Sequence, residues 1–218
     1  MTRVLIALTS HAELGDTGRA TGFYASEAAE PWGVFRDAGY QVDLVSVAGG
    51  RPPVDGRDDA DPVQQRFFAE ADLERTPTAS DLTAADYDAI FFAGGHGTMW
   101  DFADAKELVA LAAAIYEQGG VVAAVCHGPS ALVGVTLSDG RPLVEGKNVA
   151  AFTNAEEHAV GLTTVVPFLL ADALTARGAV HHPAADFTEQ VVVDGRLVTG
   201  QNPASAQRAA TEVSKLLG

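Results

Sequence analysis

Short apolar runs alternate with amphipathic stretches along most of the chain. The run "RVLIALTS" (3–10) is almost unbroken in its apolarity, as a strand buried on both faces requires. The stretch "AEPWGVFRDAGY" predicts a short helix, with Pro31 in its first turn and Gly39 at its C-terminal cap. A second strand is predicted over "QVDLVSVAGG" (41–50). The turn-rich "RPPVDGRDDADP" then leads into a helical "VQQRFFAEADLE". A third strand, "YDAIFFAGGHG" (87–97), runs into glycines. The strong helix "DAKELVALAAAIYEQGG" ends on Gly119 and Gly120, a fourth strand follows in "VVAAVCH", and "GPSALVGV" begins another helix.

This strand–helix rhythm implies a mostly parallel, doubly wound α/β sheet with right-handed connections. Beyond residue 135 the pattern changes. "SDGRPLVEGKNVAAFT" predicts a hairpin or a short crossover, and "GLTTVVPFLLADALTARGA" a helix whose start Pro167 restricts. "EQVVVDGRLVTG" predicts a hairpin turning on Asp194-Gly195. "PASAQRAATEVSKLLG" predicts a closing helix with Pro203 at its start. With no internal repeat and no linker, residues 1–218 are expected to form a single domain.

Composition narrows the function classes. The 218 residues carry 29 acidic and 14 basic side chains, a formal charge of −15. That balance argues against a nucleic-acid partner, which needs clustered Lys and Arg, and against an anionic membrane surface. No apolar run reaches membrane-spanning length, and "MTRVLIALTS" reads as a first strand and not as a signal peptide, so a cytoplasmic location is expected. The one cysteine excludes an intrachain disulfide and a multi-Cys metal centre.

That cysteine, Cys126, stands where a strand gives way to a helix, between Ala124 and Gly128 and beside His127. Such a strand-to-helix turn is the geometry of a nucleophile elbow. A buried, inert cysteine is the plain alternative. The nearby helix N-terminus is expected to favour the thiolate. The turn "AGGHGT" (93–98) has neither the Lys of a phosphate-binding P-loop nor the third glycine of a dinucleotide fingerprint. Beside a nucleophile, the Gly95 and His127 N–H groups are instead suited to an oxyanion hole. Glu27 falls on the carboxyl-end side of the first strand. Glu156 and Glu157 follow another apolar run, where an Asn154 cap would make them first-turn helix acids.

The segments "FFAGGHGTMWDF", "GGVVAAVCHGPSALVGV", "DGRLVTGQNPASA" and "ASEAAEPWGVFRDAGYQVDLVSVAGG" together resemble the DJ-1/PfpI superfamily, most of all its Hsp31-like branch, over nearly the whole chain. The resemblance implies a flavodoxin-like sheet sandwiched by helices, related to class I glutamine amidotransferases. It matches Cys126 to the nucleophile, His127 to the catalytic histidine, Glu27 to the acid beside the cysteine, and Glu157, in preference to Glu156, to the third triad member. "HHPAAD" (181–186) has Ala184 where an amidotransferase His-Pro-Glu motif would place its acid, so it reads as a loop. Proteins similar to this one convert methylglyoxal to lactate without glutathione, and chaperone, deglycase and peptidase roles are also ascribed to them. The resemblance therefore implies a small 2-oxoaldehyde substrate, no metal or organic cofactor, a homodimer, and unfolded-protein clients as a further class of partner. Beside a thiolate, Glu27 is expected to be protonated.

Overall fold

The structure is a computed structural model that describes residues 1–218. In chain order its elements are β1 (Arg3–Leu8), β2 (Phe23–Tyr24), α1 (Ala25–Asp37), β3 (Gln41–Ser46), β4 (Val54–Asp55), α2 (Pro62–Glu70), β5 (Ala89–Phe92), α3 (Thr98–Asp101) and α4 (Lys106–Glu117). They continue with β6 (Val121–Val125), α5 (Ser130–Gly134), β7 (Asn148–Val149), α6 (Asn154–Ala159), α7 (Leu170–Ala176), β8 (Val180–His181), β9 (Val191–Asp194), β10 (Leu197–Gly200) and α8 (Ala206–Leu217).

The apolar runs become one six-stranded sheet, ordered β3-β1-β5-β6-β10-β9. The first five strands are parallel and β9 closes the edge antiparallel to β10. Counting only the parallel strands, the order is 2-1-3-4-5, that of a flavodoxin-like sheet. The winding direction reverses between β1 and β5. Right-handed crossovers then put α1 and α4 on opposite faces. Helix α1 packs against α8 over one face, and α4 covers β5 and β6 beside α5. Every residue of β5 and β6 is buried, and 52 buried residues form one hydrophobic cluster. Unbroken apolar runs are what a two-sided burial demands.

Several predicted boundaries shift. Helix α1 begins at Ala25, so Pro31 lies inside it, where it supplies no N–H to the Glu27 carbonyl. The early start is fixed by burial: Ala25, Glu27, Ala28 and Ala29 all face the interior. The third strand stops at Phe92, and the glycines beyond it form a turn. The final hairpin forms, but Asp194 pairs with Leu197, which leaves Gly195-Arg196 as the loop. Asp194 is retained in the ladder because its carboxylate accepts the Asn148 N–H at 2.9 Å and binds Lys147 at 3.2 Å. The segment after residue 135 is not a hairpin of strands: it closes a single Thr136–Pro142 bridge and then pairs β7 with β8 in parallel. Pro167 delays the following helix to Leu170. No helix is long and apolar enough to cross a membrane.

Candidate active site

In an open parallel sheet the side chains past the strands' carboxyl ends converge where the winding reverses. Strand register brings Ala7, Phe92 and Ala124 abreast on β1, β5 and β6, so the chain segments after them leave the sheet together. Two residues past Ala124, Cys126 sits at φ +60°, one of only two non-glycine residues with positive φ. Its N–H donates to the Gly200 carbonyl at 2.9 Å, and the Gly128 N–H turns back to Val125 at 2.7 Å. This is the strained elbow that points a side chain out of the sheet. Gly95 is held at φ +100°, and a Cβ there would collide with the Gly22 carbonyl and the Tyr24 nitrogen. That close approach brings the β5 turn against the start of α1.

The predicted residues Cys126, His127, Glu157, Glu27 and Gly95 meet at this point. Cys126 Sγ lies 3.3 Å from His127 Nδ1, and His127 Nε2 lies 2.8 Å from Glu157 Oε2. Glu27, fully buried, accepts the Gly94 N–H on Oε2 at 2.9 Å. Its other oxygen has no partner in good hydrogen-bond geometry, and the Cys126 thiol is the side chain it acts on. The Gly95 and His127 N–H groups also act on the sulfur. Only 4% of Cys126 is exposed, so the sulfur is set deep below the surface.

Electrostatics separates the two acids. Burial pushes Glu27 up to about 8, although its contacts with Cys126 and the Gly94 N–H pull the other way. Glu27 is therefore the neutral acid at pH 7, and burial is the main cause, ahead of any neighbouring charge. Burial would raise Glu157 as well, but hydrogen bonds from His127 and a second histidine, His96, outweigh it and hold Glu157 at about 2. Burial, with His96 nearby, lowers His127 to about 4. A charged Glu157 can only accept, so His127 carries its proton on Nε2 and turns a free Nδ1 lone pair toward the thiol. Burial first, then Glu27, pushes the Cys126 thiol well above its ordinary range, against the two amide N–H groups. The expected helix-stabilised thiolate is thus not the resting state. Helix α5 has only five residues and begins four residues past the sulfur, so its dipole is weak compared with the burial.

Two participants were not singled out in the sequence, His96 and Phe152. His96 Nε2 contacts Glu157 Oε1 at 3.0 Å, and its ring lies 4.1 Å from that of His127. Phe152 also packs on the His127 ring at 4.2 Å and lies edge-on to His96 at 6.0 Å. Glu156, one residue before Glu157, faces elsewhere: it accepts N–H groups from Phe187, Gln201, Asn202 and Thr153. The signal for His96 was its place in "AGGHGT", directly after Gly95, the candidate oxyanion donor. His181 and His182 lie outside the site, against the Ala151 carbonyl and Asn148. A cleft of about 460 Å³ near Arg3, Asp43 and Tyr87 lies at the other, amino-terminal ends of the strands.

A flavodoxin-like sandwich with a cysteine elbow, an adjacent histidine and a buried neutral glutamic acid defines a cysteine-dependent α/β class of protein. The chain belongs to the DJ-1/PfpI family, whose model matches residues 19–216. It is 36% identical over 224 residues to the glutathione-independent glyoxalase HSP31 of Saccharomyces cerevisiae, covering 95% of this chain and 94% of that protein. It is likewise 36% identical to glyoxalase 3 of Candida albicans, over 98% and 97% of the two chains. The crystal structure of glyoxalase III from Candida albicans superposes with a TM-score of 0.91 at 34% identity, over 99% of this chain and 97% of that one. That of the Rapid Encystment Protein 24 KDa from Francisella tularensis superposes with a TM-score of 0.95 at 36% identity, over the whole of both chains.

Proposed function

We propose that the protein is a glutathione-independent glyoxalase that converts a small 2-oxoaldehyde, methylglyoxal above all, to its 2-hydroxy acid, lactate. The observation that carries this is the relay from Cys126 Sγ through His127 to Glu157, closed on the other side by the protonated Glu27. The relatives named as glyoxalases supply the substrate class.

The chemistry is internally redox-balanced. As the sulfur attacks the aldehyde carbon, the thiol proton passes to His127 Nδ1, and the new alkoxide is held by the Gly95 and His127 N–H groups. Protonation of that oxygen gives a hemithioacetal and leaves His127 neutral again. The hydrogen on the former aldehyde carbon is then removed as a proton, forming an enediol. Reprotonation at the neighbouring carbon turns the ketone into an alcohol and the hemithioacetal into a thioester. Water hydrolyses the thioester, releasing the 2-hydroxy acid and the thiol. One carbon is oxidised and its neighbour is reduced, so no external electron acceptor enters. With Glu27 neutral, His127 is the base of the pair and Glu27 the hydrogen-bonding acid. The deeply set sulfur favours a small aldehyde over a peptide. The proposal takes residues 1–218 as one working unit, acting as a cytoplasmic homodimer.

Purified protein incubated with methylglyoxal and no added thiol is expected to form lactate, and Cys126→Ser to form none. Lactate formation by the variant at the wild-type rate would overturn the assignment.

A further inference from the structure

His96, His127 and Glu157 place three potential metal-ligand atoms within 4.8 Å of one another. The two Nε2 atoms share one carboxylate, one on each oxygen, at 3.0 and 2.8 Å. Ligand atoms bound at about 2.0–2.1 Å to one tetrahedral zinc ion stand roughly 3.3 Å apart. The two nitrogen–oxygen separations fall slightly short of that spacing and all three ligand atoms lie within 4.8 Å of one another, so small side-chain rotations would bring them into a coordination shell. Two imidazoles and a carboxylate suit zinc and its borderline neighbours better than calcium or magnesium. The His96 side chain is 18% exposed while the other two are nearly sealed, so its edge is the way in and the side on which a fourth, water ligand would sit.

We propose that this trio is a reversible inhibitory site for a divalent ion of the zinc class. The inhibitory part rests on the glyoxalase function proposed above; the binding part does not. The ion would take the place of the Nε2 proton on each ring. Each neutral imidazole would then carry its proton on Nδ1, with no net proton lost at neutral pH. On His127 that Nδ1 proton would point at Cys126 Sγ, 3.3 Å away, a partner of the kind that metal-bound histidines usually have. His127 could then no longer accept the thiol proton or move a proton between the substrate carbons. The neutral ring that serves as a base toward the thiol through Nδ1 is thus open to capture at Nε2, on its far side, once the proton there moves to Nδ1.

The test uses the full chain after chelator treatment. Cobalt(II), as a spectroscopic probe, is expected to bind at one equivalent, with the visible bands of a tetrahedral nitrogen–oxygen site. The Cys126→Ser variant should give the same spectrum. Zinc should displace cobalt and stop lactate formation, with recovery on adding chelator. Both His96→Gln and His96→Phe should weaken cobalt binding at least about tenfold. Absence of stoichiometric binding, unchanged binding in folded His96 variants, or a thiolate-to-cobalt band lost in Cys126→Ser would each overturn the proposal. Should the untreated wild type form no lactate, the glyoxalase function fails alone, because the cobalt titration still decides the site.

Discussion

Replacing Glu27 by Gln should stabilise the protein at pH 7, by an amount that grows with pH. The carboxyl is fully buried and titrates near 8 against an ordinary 4.5. Between those values the folded chain keeps a proton that the unfolded chain has released, so folding stability falls as pH rises through that interval. One unit is worth about 1.4 kcal/mol. At pH 7 the interval spanned is 2.5 units, taken from the ordinary value of 4.5, an expense of about 3 kcal/mol; above pH 8 it levels off near 5 kcal/mol. Gln is neutral at every pH, and its side-chain oxygen can still accept the Gly94 N–H. Subtracting about 1 kcal/mol for an imperfect amide contact with the sulfur leaves about 2 kcal/mol at pH 7. For a chain of this size that is an increase in Tm of roughly 4–8 °C. Thermal unfolding of both proteins, followed by circular dichroism from pH 4 to pH 8.5, measures it. At pH 4 the variant should be the less stable by about 1 kcal/mol, and its advantage should grow with pH to be largest at pH 8.5. A difference independent of pH, or a variant less stable at pH 8.5, would refute the buried neutral acid.

The pH dependence of kcat/KM should be flat between two limbs. Below about 4 His127 gains a proton on Nδ1 and cannot accept the thiol's, so activity falls as pH falls; above about 8 Glu27 ionises beside the sulfur and opposes the developing oxyanion, so activity falls as pH rises. An acid limb near 6.5, or activity climbing through 8, would contradict these assignments and in the second case make Glu27 the base. The adjacent acids should separate cleanly: Glu157→Gln is expected to lower kcat/KM by roughly 10²–10⁴ by losing the tautomer-fixing acceptor. Glu156→Gln should instead cost about 2–3 kcal/mol of stability by placing an amide against four donors, with kcat/KM within about tenfold of wild type. Denaturant unfolding and steady-state kinetics on both variants check the pair, and the reverse pattern would fault the choice of Glu157.

The sheet was legible because two-sided burial leaves unbroken apolar runs: β1, β5 and β6 lie inside the predicted ones. The two-residue pairs β2–β4 and β7–β8 left no such trace, since so short a strand has no periodicity to read. Helix α1 was misplaced at its start because proline was given the first turn it usually takes. Tertiary burial of Ala25 through Ala29 extended the helix backwards past it. The elbow was visible in the small residues around Cys126. Which way each glutamate faces was not, because Glu156 and Glu157 are adjacent on one short helix and diverge by about 100° around it. His96 was hidden for a related reason. Its partner Glu157 is 61 residues away, on helix α6, and only the tertiary fold brings that helix against the turn after β5.

The net surroundings of the sulfur resist ionisation, and this shapes how the site works. A thiolate standing free in the resting enzyme would react with any electrophile or oxidant that reached it. Here the sulfur, Glu27 and His127 all rest neutral, and the single negative charge is on Glu157, on the far side of the imidazole. In the proposed mechanism, attack on a carbonyl moves the thiol proton to His127 and creates the imidazolium beside that waiting carboxylate, while the new negative charge leaves the sulfur for an oxygen facing two amide N–H groups. Charge separation is thus stabilised only when an electrophile is present to receive the electrons. The two acids differ by about six pKa units although they serve one cysteine and both are shielded from water. The deeper burial of Glu27, and two histidine N–H donors on Glu157 against one backbone donor on Glu27, account for that difference, and they divide the pair into an anion and a neutral acid at pH 7.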